Sequence, residues 1–299
     1  MAVQIPFVRD IKFEYGVVQR VSPLIRHVMS NNPSAFTFLG TGVYIIGQGE
    51  VAVIDPGPDQ PGQLDMLLNA VNGETVTHIF VTHGHLDHSP MAGPLAKATG
   101  AKIFAAGGVM KQADHGVVVE AGDDQSFTPD QIVTDRMRFQ GKGWTIEAVF
   151  TPGHTSNHMC FALVEENCLF SGDHIMGWST TVITPPDGSM SDYYASLKKV
   201  QDKNYDVLWP THGPPIRDVR AFIDAYTAHR HDRERQILER LAAGQTQIRD
   251  MVPIMYAAVD KRLYPAACQS VLAHMIHMVK QGRIRSDGTP SLESNFHAA

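Results

Sequence analysis

A six-residue segment, His83-Gly84-His85-Leu86-Asp87-His88, places three imidazoles and one carboxylate directly after an apolar run. Imidazole nitrogens and carboxylate oxygens are the ligands that zinc and related divalent metals take in proteins. In an extended segment His83, His85 and Asp87 would share one side and His88 would point elsewhere, so one segment could serve two metals. A polar loop facing solvent is the alternative, but such a loop does not need four ligand-type residues in six positions. The segment therefore predicts a metal site.

A similar arrangement recurs three times further along the chain. Each time an apolar run ends in a turn with a small residue or a proline, and the first candidate metal ligand stands on that turn. The three turns are TPGH at 151–154, SGDH at 171–174 and PTHG at 210–213. Strands that end at one edge of a sheet give loops a rigid base from which to present such side chains. The recurrence predicts one shared site.

Short strands and helices alternate in the part of the chain that must position these residues. A hairpin is predicted where 43–46 and 51–54 flank the glycine-bearing turn 47–50. Ser89-Pro90 offers an N-cap and a first-turn proline for a helix ending near Gly100. Further helices are predicted over 64–71 and over 193–203 behind a Ser191-Asp192 cap, and further strands over 78–82, 101–105, 143–150, 159–164, 168–170 and 207–209. This mixture indicates an α/β fold with antiparallel or mixed sheets.

From about residue 219 the pattern becomes helical, with helices predicted over 221–243, from 246 and over 265–281. Residues 218–299 hold 11 basic and 9 acidic residues, whereas 1–217 hold 14 and 22. We therefore predict a catalytic domain over 1–218 and a small C-terminal domain over 219–299. Two helices followed by Gly282 and a short Arg-Ile-Arg segment are typical of a winged helix, which either reads DNA or packs against its neighbour.

Composition excludes several classes of protein. The chain has 299 residues, 43 % of them apolar and 19 % charged, with a formal net charge of -6. These values are typical of a globular protein and argue against a nucleic-acid or anionic-membrane surface along the whole chain. Three cysteines without a CxxC motif, no signal-peptide pattern at the start and no apolar stretch of membrane-spanning length favour a cytoplasmic protein that does not act on a membrane.

The motifs HGHLDH (83–88), TPGHTSNH (151–158), SGDH (171–174) and THG (211–213), with DPG at 55–57, resemble the metallo-beta-lactamase-fold hydrolases over most of 40–215. This resemblance implies a four-layer αββα sandwich holding two divalent metal ions, with zinc expected first and iron or manganese as alternatives. It assigns His83, His85 and His154 to the first metal, Asp87, His88 and His212 to the second, and Asp173 to both. A hydroxide bridging the metals would be the nucleophile, because the ions lower the pKa of bound water.

The sequence also predicts roles other than metal binding for Asp87, Asp55, His158 and Trp178. Asp87 is the candidate catalytic residue that orients the hydroxide and handles its proton. Asp55 either hydrogen-bonds an imidazole of the site or is a simple turn aspartate, and the sequence leaves both readings open. Trp178, which follows the SGDH turn, and His158 are candidate substrate-binding residues, and for His158 and His174, which stand near ligands in the chain, contact with a metal ligand is the alternative. His158 and His174 are not expected to be metal ligands.

The C-terminal region, together with THGPPI at 211–216, resembles the beta-lactamase-like-protein-2 subgroup, whose animal members are endoribonucleases on single-stranded RNA. The resemblance implies a phosphodiester substrate, but the net charge of 1–217 is -8, which opposes RNA binding. Thioester hydrolysis of the glyoxalase-II type and lactam or lactone hydrolysis remain alternatives, so the substrate is either a small molecule or single-stranded RNA. No stable nucleic-acid complex is expected. A DNA-binding regulator with a metal-sensing domain is the alternative from a different class.

Overall fold

The computed structural model describes residues 4–108 and 122–299, which contain two large sheets. The first sheet has seven strands in chain order, antiparallel up to β4 and parallel from β4 onwards. These strands are β1 (Gln19–Arg20), β2 (Ile25–Met29), β3 (Gly42–Gln48), β4 (Glu50–Ile54), β5 (Thr75–Phe80), β6 (Lys102–Ala105) and β7 (Gln131–Ile132).

The second sheet has five strands in the order β12-β11-β10-β9-β8, antiparallel except for the parallel pair of β11 and β12. Its strands are β8 (Arg138–Gly141), β9 (Trp144–Phe150), β10 (Met159–Leu163), β11 (Cys168–Gly172) and β12 (Val207–Pro210). Both sheets therefore contain the mixed pairing that the short hairpins predict.

Six α-helices and two short 3-10 helices, Val164–Glu166 and Lys261–Leu263, complete the described fold. The α-helices are α1 (Gln63–Ala70), α2 (Ala92–Thr99), α3 (Met190–Asp202), α4 (Val219–Ala242), α5 (Ile248–Met255) and α6 (Tyr264–Lys280), followed by the small antiparallel pair β13 (Ile284–Ser286) and β14 (Phe296–Ala298). None of the described helices is long and apolar enough to span a bilayer.

Side chains along each strand point alternately to the two faces of its sheet, and this alternation produces the layers of the fold. In β3, Tyr44 and Ile46 join the core between the two sheets, whereas Val43 and Ile45 join the core beneath α1 and α2. Successive strand residues point to opposite faces, so a strand buried on both faces must be apolar throughout. The second sheet repeats this division and carries α3 and the first half of α4 on its outer face. The predicted four-layer αββα sandwich is confirmed.

Helix α4 links the sandwich to the C-terminal domain. Phe222 and Tyr226 in its first half pack in the outer core of the second sheet. Ile237 and Leu241 in its second half belong to a separate core formed with α5, α6 and the β13–β14 pair. The helix begins at Val219, where the sequence places a boundary, but its two halves stabilise different cores.

Two predicted helix starts are wrong, and side-chain hydrogen bonds explain both. The Ser89 hydroxyl donates to the His85 carbonyl and to Asp124, so Met91 instead precedes the first residue of α2. For α3 the cap is Ser189, whose hydroxyl accepts from the Asp192 amide, so the helix begins at Met190.

Glu234 on α4 connects the two domains. Its carboxylate is 1 % exposed and accepts hydrogen bonds from the Tyr194 hydroxyl on α3 and from Arg283 before β13. The His274 ring on α6 lies 3.5 Å away. Burial alone would raise the pKa of Glu234, but hydrogen bonds from His274 and Arg283 lower it to about 2. The carboxylate is therefore ionised at neutral pH.

We expect Glu234→Gln to lower the free energy of unfolding at pH 7 by about 2 kcal/mol, because the hydrogen bonds from the Tyr194 hydroxyl and from the partly exposed Arg283 lose their charged acceptor. The folded-state pKa lies below the ordinary value of 4.5, so the contribution is complete above pH 4.5 and is lost as pH falls toward 2. Denaturant unfolding at pH 7 and pH 3 measures this. Glu239→Gln, an exposed glutamate on the same helix, is the control, and equal losses in the two variants would contradict the prediction.

Candidate metal centre

Four strand ends bring seven candidate ligands to one edge of the sandwich. His83, His154, Asp173 and His212 follow β5, β9, β11 and β12, and the remaining three lie on the turn after His83. All seven are buried, and the most exposed of them, Asp173, is only 8 % exposed. The complete set is His83, His85, Asp87, His88, His154, Asp173 and His212.

The first group of ring nitrogens belongs to His83, His85 and His154. The His83 Nε2 and His85 Nδ1 atoms are 2.9 Å apart, and His154 Nε2 lies 3.3 Å from the same His85 atom. One potential ligand atom from each residue lies within 4.8 Å of the others. The three rings could therefore hold one metal ion.

A second group consists of Asp87, His88 and His212. Asp87 Oδ2 lies 3.0 Å from His212 Nε2 and 3.3 Å from His88 Nε2. Asp173 lies between the groups, with Oδ1 3.5 Å from His212 Nε2 and Oδ2 3.9 Å from His154 Nε2. The three residues expected for each ion thus lie together, and a third group of His83, His88 and Asp173 overlaps both sets.

The protonation states of these residues suit a cation. Burial, followed by the neighbouring imidazoles, lowers the pKa of His83 well below its usual value, so its ring is neutral. Burial alone would raise the pKa of Asp87, but His88 and His212 lower it well below its usual value. Asp87 Oδ1, His88 Nε2 and Asp173 Oδ1 are buried without a hydrogen-bond partner in the described chain. Because buried polar atoms are normally satisfied, these residues fit a metal ion.

Protons and metal ions compete at two of the rings. Burial alone would lower the pKa of His88, but Asp87, Asp173 and Asp55 raise it well above its usual value. The pKa of His212 is also raised, since Asp173 and Asp87 outweigh burial. A cation binding to these nitrogens must displace their protons, so metal affinity should fall in acid.

The HGHLDH segment is not extended, so the expectation that His83, His85 and Asp87 share one side is wrong. The backbone turns at residues 86–88, and the amides of His88 and Ser89 both donate to the His85 carbonyl. This turn places Asp87 beside His88 and His212. Local hydrogen bonding, which two-residue periodicity ignores, decides the grouping.

Asp55 is an orienting residue of the site and not a simple turn aspartate. Its Oδ2 atom lies 2.9 Å from His88 Nδ1 and accepts from the Thr82 and Thr211 hydroxyls, while Oδ1 accepts from the Thr82 amide. It therefore joins the ends of β4, β5 and β12 and turns His88 Nε2 toward Asp87. Such partners fix the ring orientation and tautomer of a ligand.

Two backbone carbonyls orient other rings in the same way. His154 Nδ1 lies 2.8 Å from the Val182 carbonyl, and His212 Nδ1 lies 3.0 Å from the Gly40 carbonyl. Sequence reasoning missed both contacts, because a backbone acceptor leaves no signature in residue type.

His158 does not line the cavity, contrary to its predicted role in substrate binding. The ring is fully buried, its Nε2 accepts from the Asp173 amide, and its Nδ1 lies 2.9 Å from the Thr151 hydroxyl. The His158 ring therefore holds the backbone of the Asp173 turn by a hydrogen bond and does not face the cavity. His174 is also fully buried and outside the ligand groups, and burial lowers its pKa to about 3.

Gly172 allows the Asp173 turn to approach its neighbours closely. Its φ is +51°, and a Cβ there would lie 2.7 Å from His158 Nε2 and 2.9 Å from Thr82 Cβ. A side chain at position 172 would therefore be strained, both by the backbone conformation and by contact with its neighbours.

A cavity of about 50 Å³ opens over the candidate ligands. Trp178 lines it, stacked on Phe38 with ring centroids 4.7 Å apart. The other described residues of the wall that are not candidate ligands are Ala35, Phe36, Met176, Ser179 and Val182.

The fold and the site define an α/β protein with histidine and aspartate clusters that could bind metal ions at the edge of an αββα sandwich. The chain matches the Metallo-beta-lactamase superfamily over residues 37–212 and therefore belongs to that superfamily, whose members are in general hydrolases. Residues 248–291 match the beta-lactamase associated winged helix domain, which contains α5, α6 and β13.

Individual relatives agree with this assignment. A beta-lactamase-like protein 2 homolog of Drosophila melanogaster is 30 % identical over 283 residues, 90 % of this chain and 92 % of the relative. An atrochrysone carboxyl ACP thioesterase of Cryptosporiopsis sp. is 31 % identical over 240 residues, 78 % of this chain and 68 % of the relative. A beta-lactamase domain protein from Burkholderia ambifaria has the same fold, with a TM-score of 0.79, 20 % identity and coverage of 97 % and 96 %.

We expect Asp55→Asn to weaken zinc binding about 10- to 100-fold, because with an NH2 group in place of one carboxylate oxygen the side chain cannot accept both the hydrogen bond from His88 Nδ1 and that from the Thr82 amide. Competition against a chromogenic chelator measures the change. Asp59→Asn, an exposed aspartate four residues away, is the control. Equal zinc affinity in the Asp55 and Asp59 variants would show that Asp55 only shapes the turn.

Proposed function

We propose that the protein is a hydrolase with two metal ions that cleaves a thioester whose groups next to the reacting bond are largely apolar. The observation that carries this proposal is the wall of the cavity over the candidate ligands. Phe36, Met176, Trp178 and Val182 supply most of its side chains beyond the ligands, and no described lysine or arginine lines it. An apolar acyl group fits this wall, whereas a chain of phosphates would meet no positive side chain there.

In the proposed site His83, His85 and His154 would hold one ion and Asp87, His88 and His212 the other, with Asp173 placed between the two groups. When bound, divalent ions would lower the pKa of a water molecule and polarise the carbonyl oxygen of the substrate. Zinc is the first expectation from these nitrogen and oxygen donors, and iron or manganese suit them too.

The chain's own residues orient the reactants. Asp87 lines the cavity, and its Oδ1 has no hydrogen-bond partner in the described chain, so this atom can accept a proton from the attacking water. The Trp178 side chain lines the same cavity and would pack against the substrate. Phe36 and Val182 exclude bulk water from the reacting bond.

Charge and relatives support a thioester over RNA. The net charge of -8 over 1–217 repels a polyanion, and two relatives are named atrochrysone carboxyl ACP thioesterases. Single-stranded RNA, lactams and lactones are the alternatives that a substrate panel separates.

A DNA-binding regulator is less well supported. In winged helices the second helix enters the DNA groove. The corresponding helix here, α6, has 10 buried residues among 17 and packs against α3, α4 and α5. Its packing leaves little of the helix to read a duplex.

The purified protein is expected to hydrolyse a neutral S-acyl-N-acetylcysteamine far faster than single-stranded RNA, bis(p-nitrophenyl) phosphate or nitrocefin. Removing metal with a chelator should abolish this activity, and added zinc should restore it. Asp87→Asn should lower kcat about 100-fold, since the amide cannot take the proton, while Asp59→Asn keeps wild-type activity. Faster cleavage of RNA than of the thioester would overturn the substrate, and full activity without metal would overturn the mechanism.

A further inference from the structure

The cavity over the candidate ligands continues into a wider cleft between the two domains. This interdomain cleft has a volume of about 430 Å³ and shares Phe36, Trp178 and Val182 with the smaller cavity. Its far wall is formed by α4, the segment after α5 and the first turn of α6. A substrate whose reacting bond lies at the candidate ligands would extend its remaining atoms into this cleft.

Two arginines on α4 line the far wall without an ion pair to a described carboxylate, although the charge of Arg233 acts on Asp232 of the same helix. Arg230 is 3 % exposed, its Nη2 donates to the Thr181 carbonyl, and its Nε has no hydrogen-bond partner in the described chain. Arg233, one turn further on, donates from Nη1 to the Met255 carbonyl at 2.8 Å, and its Nε is also buried without a described partner. Neither guanidinium forms an ion pair with a described carboxylate, whereas the exposed Arg235 on the same helix pairs with two.

Aromatic rings pack against both guanidinium groups but do not neutralise them. Arg230 lies 5.1 Å from the Tyr193 ring centroid, and Arg233 lies 4.2 Å from that of Tyr256. His229 beside them is neutral at pH 7, because burial and then the charges of the two arginines lower its pKa to about 3, so the ring neither adds to nor offsets their charge. Two positive charges so close together in a mostly buried wall are costly unless an anion compensates them.

We infer that Arg230 and Arg233 form a subsite for an anionic group of the substrate, a carboxylate or a phosphate. The inference rests on the proposed function, because it takes the thioester to lie at the candidate ligands and the anion to lie across the cleft. Guanidinium N–H groups are well suited to such oxygens. Leu263, Ala266 and Ala267 line the same cleft and offer an apolar surface to the part of the substrate between its two ends.

Arg233 is the better of the two residues for a test. Arg230 supports the Thr181 carbonyl, and the Thr181 hydroxyl donates to the Asp173 carbonyl, so replacing Arg230 would also disturb a candidate ligand. Arg233 touches no residue of the candidate metal centre in the described contacts. Arg235→Gln is the matched control, because it removes one exposed charge from the same helix.

Three thioesters with the same acyl chain length separate the sources of the anion. They are a neutral acyl-N-acetylcysteamine, its analogue with a terminal carboxylate on the acyl chain, and the acyl-coenzyme A, whose phosphates lie on the thiol side. We expect the wild type to prefer one of the two anionic substrates over the neutral one by about 10-fold or more in kcat/KM. Arg233→Gln should lose this preference mainly through KM, Arg233→Lys should restore part of it, and Arg235→Gln should keep it.

A second pair of variants tests the charge of the cleft without touching an arginine. Val259 lines the cleft, so Val259→Glu should cut kcat/KM for the preferred anionic substrate about 10-fold, whereas Val259→Gln, matched in size, should not. Equal effects of these two variants, or equal use of neutral and anionic thioesters by the wild type, would overturn the subsite.

Calorimetry with glutarate and with inorganic phosphate provides a measurement that does not depend on hydrolysis. Binding of either anion to the wild type and to Arg235→Gln, with at least 10-fold weaker binding to Arg233→Gln, supports the subsite even if no thioester is cleaved. In that case the thioester proposal fails and the anion site stands. If neither anion binds, or if only RNA binds and depends on Arg233, the inference is wrong.

Discussion

Five imidazole rings and two carboxylates buried around one centre impose the constraint on which the rest of the structure depends. Burying such groups costs free energy unless each polar atom finds a partner. Neighbouring aspartates raise the pKa values of His88 and His212, so these rings can hold protons. Burial and the neighbouring imidazoles lower the pKa of His83, so its ring is neutral. Neutral imidazoles and ionised carboxylates together are the complement of a divalent cation. The proposed chemistry follows from that electrostatic fit.

The sandwich meets this constraint because four of its strands end at one edge. Buried hydrogen bonds from residues outside the ligand set then fix the candidate ligands. Asp55 joins three strand ends and holds His88, while His158 supports the backbone at Asp173. These contacts orient the ligands through rigid elements, as a preorganised site requires. The C-terminal domain adds the far wall of the interdomain cleft, so it contributes to the substrate space although it supplies no candidate ligand. Glu234 fixes that wall relative to the sandwich.

How much the sequence predicts depends on the range of each interaction. The convergence of the seven candidate ligands was predictable because HGHLDH is a local motif, and because apolar runs show where strands end. The turn at 86–88 was not, since hydrogen bonds to the His85 carbonyl override strand periodicity. Residue spacing also could not show that His158 lies beneath Asp173, away from the cavity. Helical periodicity places Arg230 and Arg233 one turn apart, but only the packing of two domains shows that neither forms an ion pair with a described carboxylate.

We propose that the seven buried residues hold two metal ions. Anomalous diffraction at the zinc absorption edge, from crystals of the zinc-loaded protein, tests this most directly. Two peaks are expected. One should lie among His83, His85 and His154 and the other among Asp87, His88 and His212, with Asp173 in contact with both ions. Full zinc loading that leaves no peak among these residues, or a single peak there, would contradict the proposal.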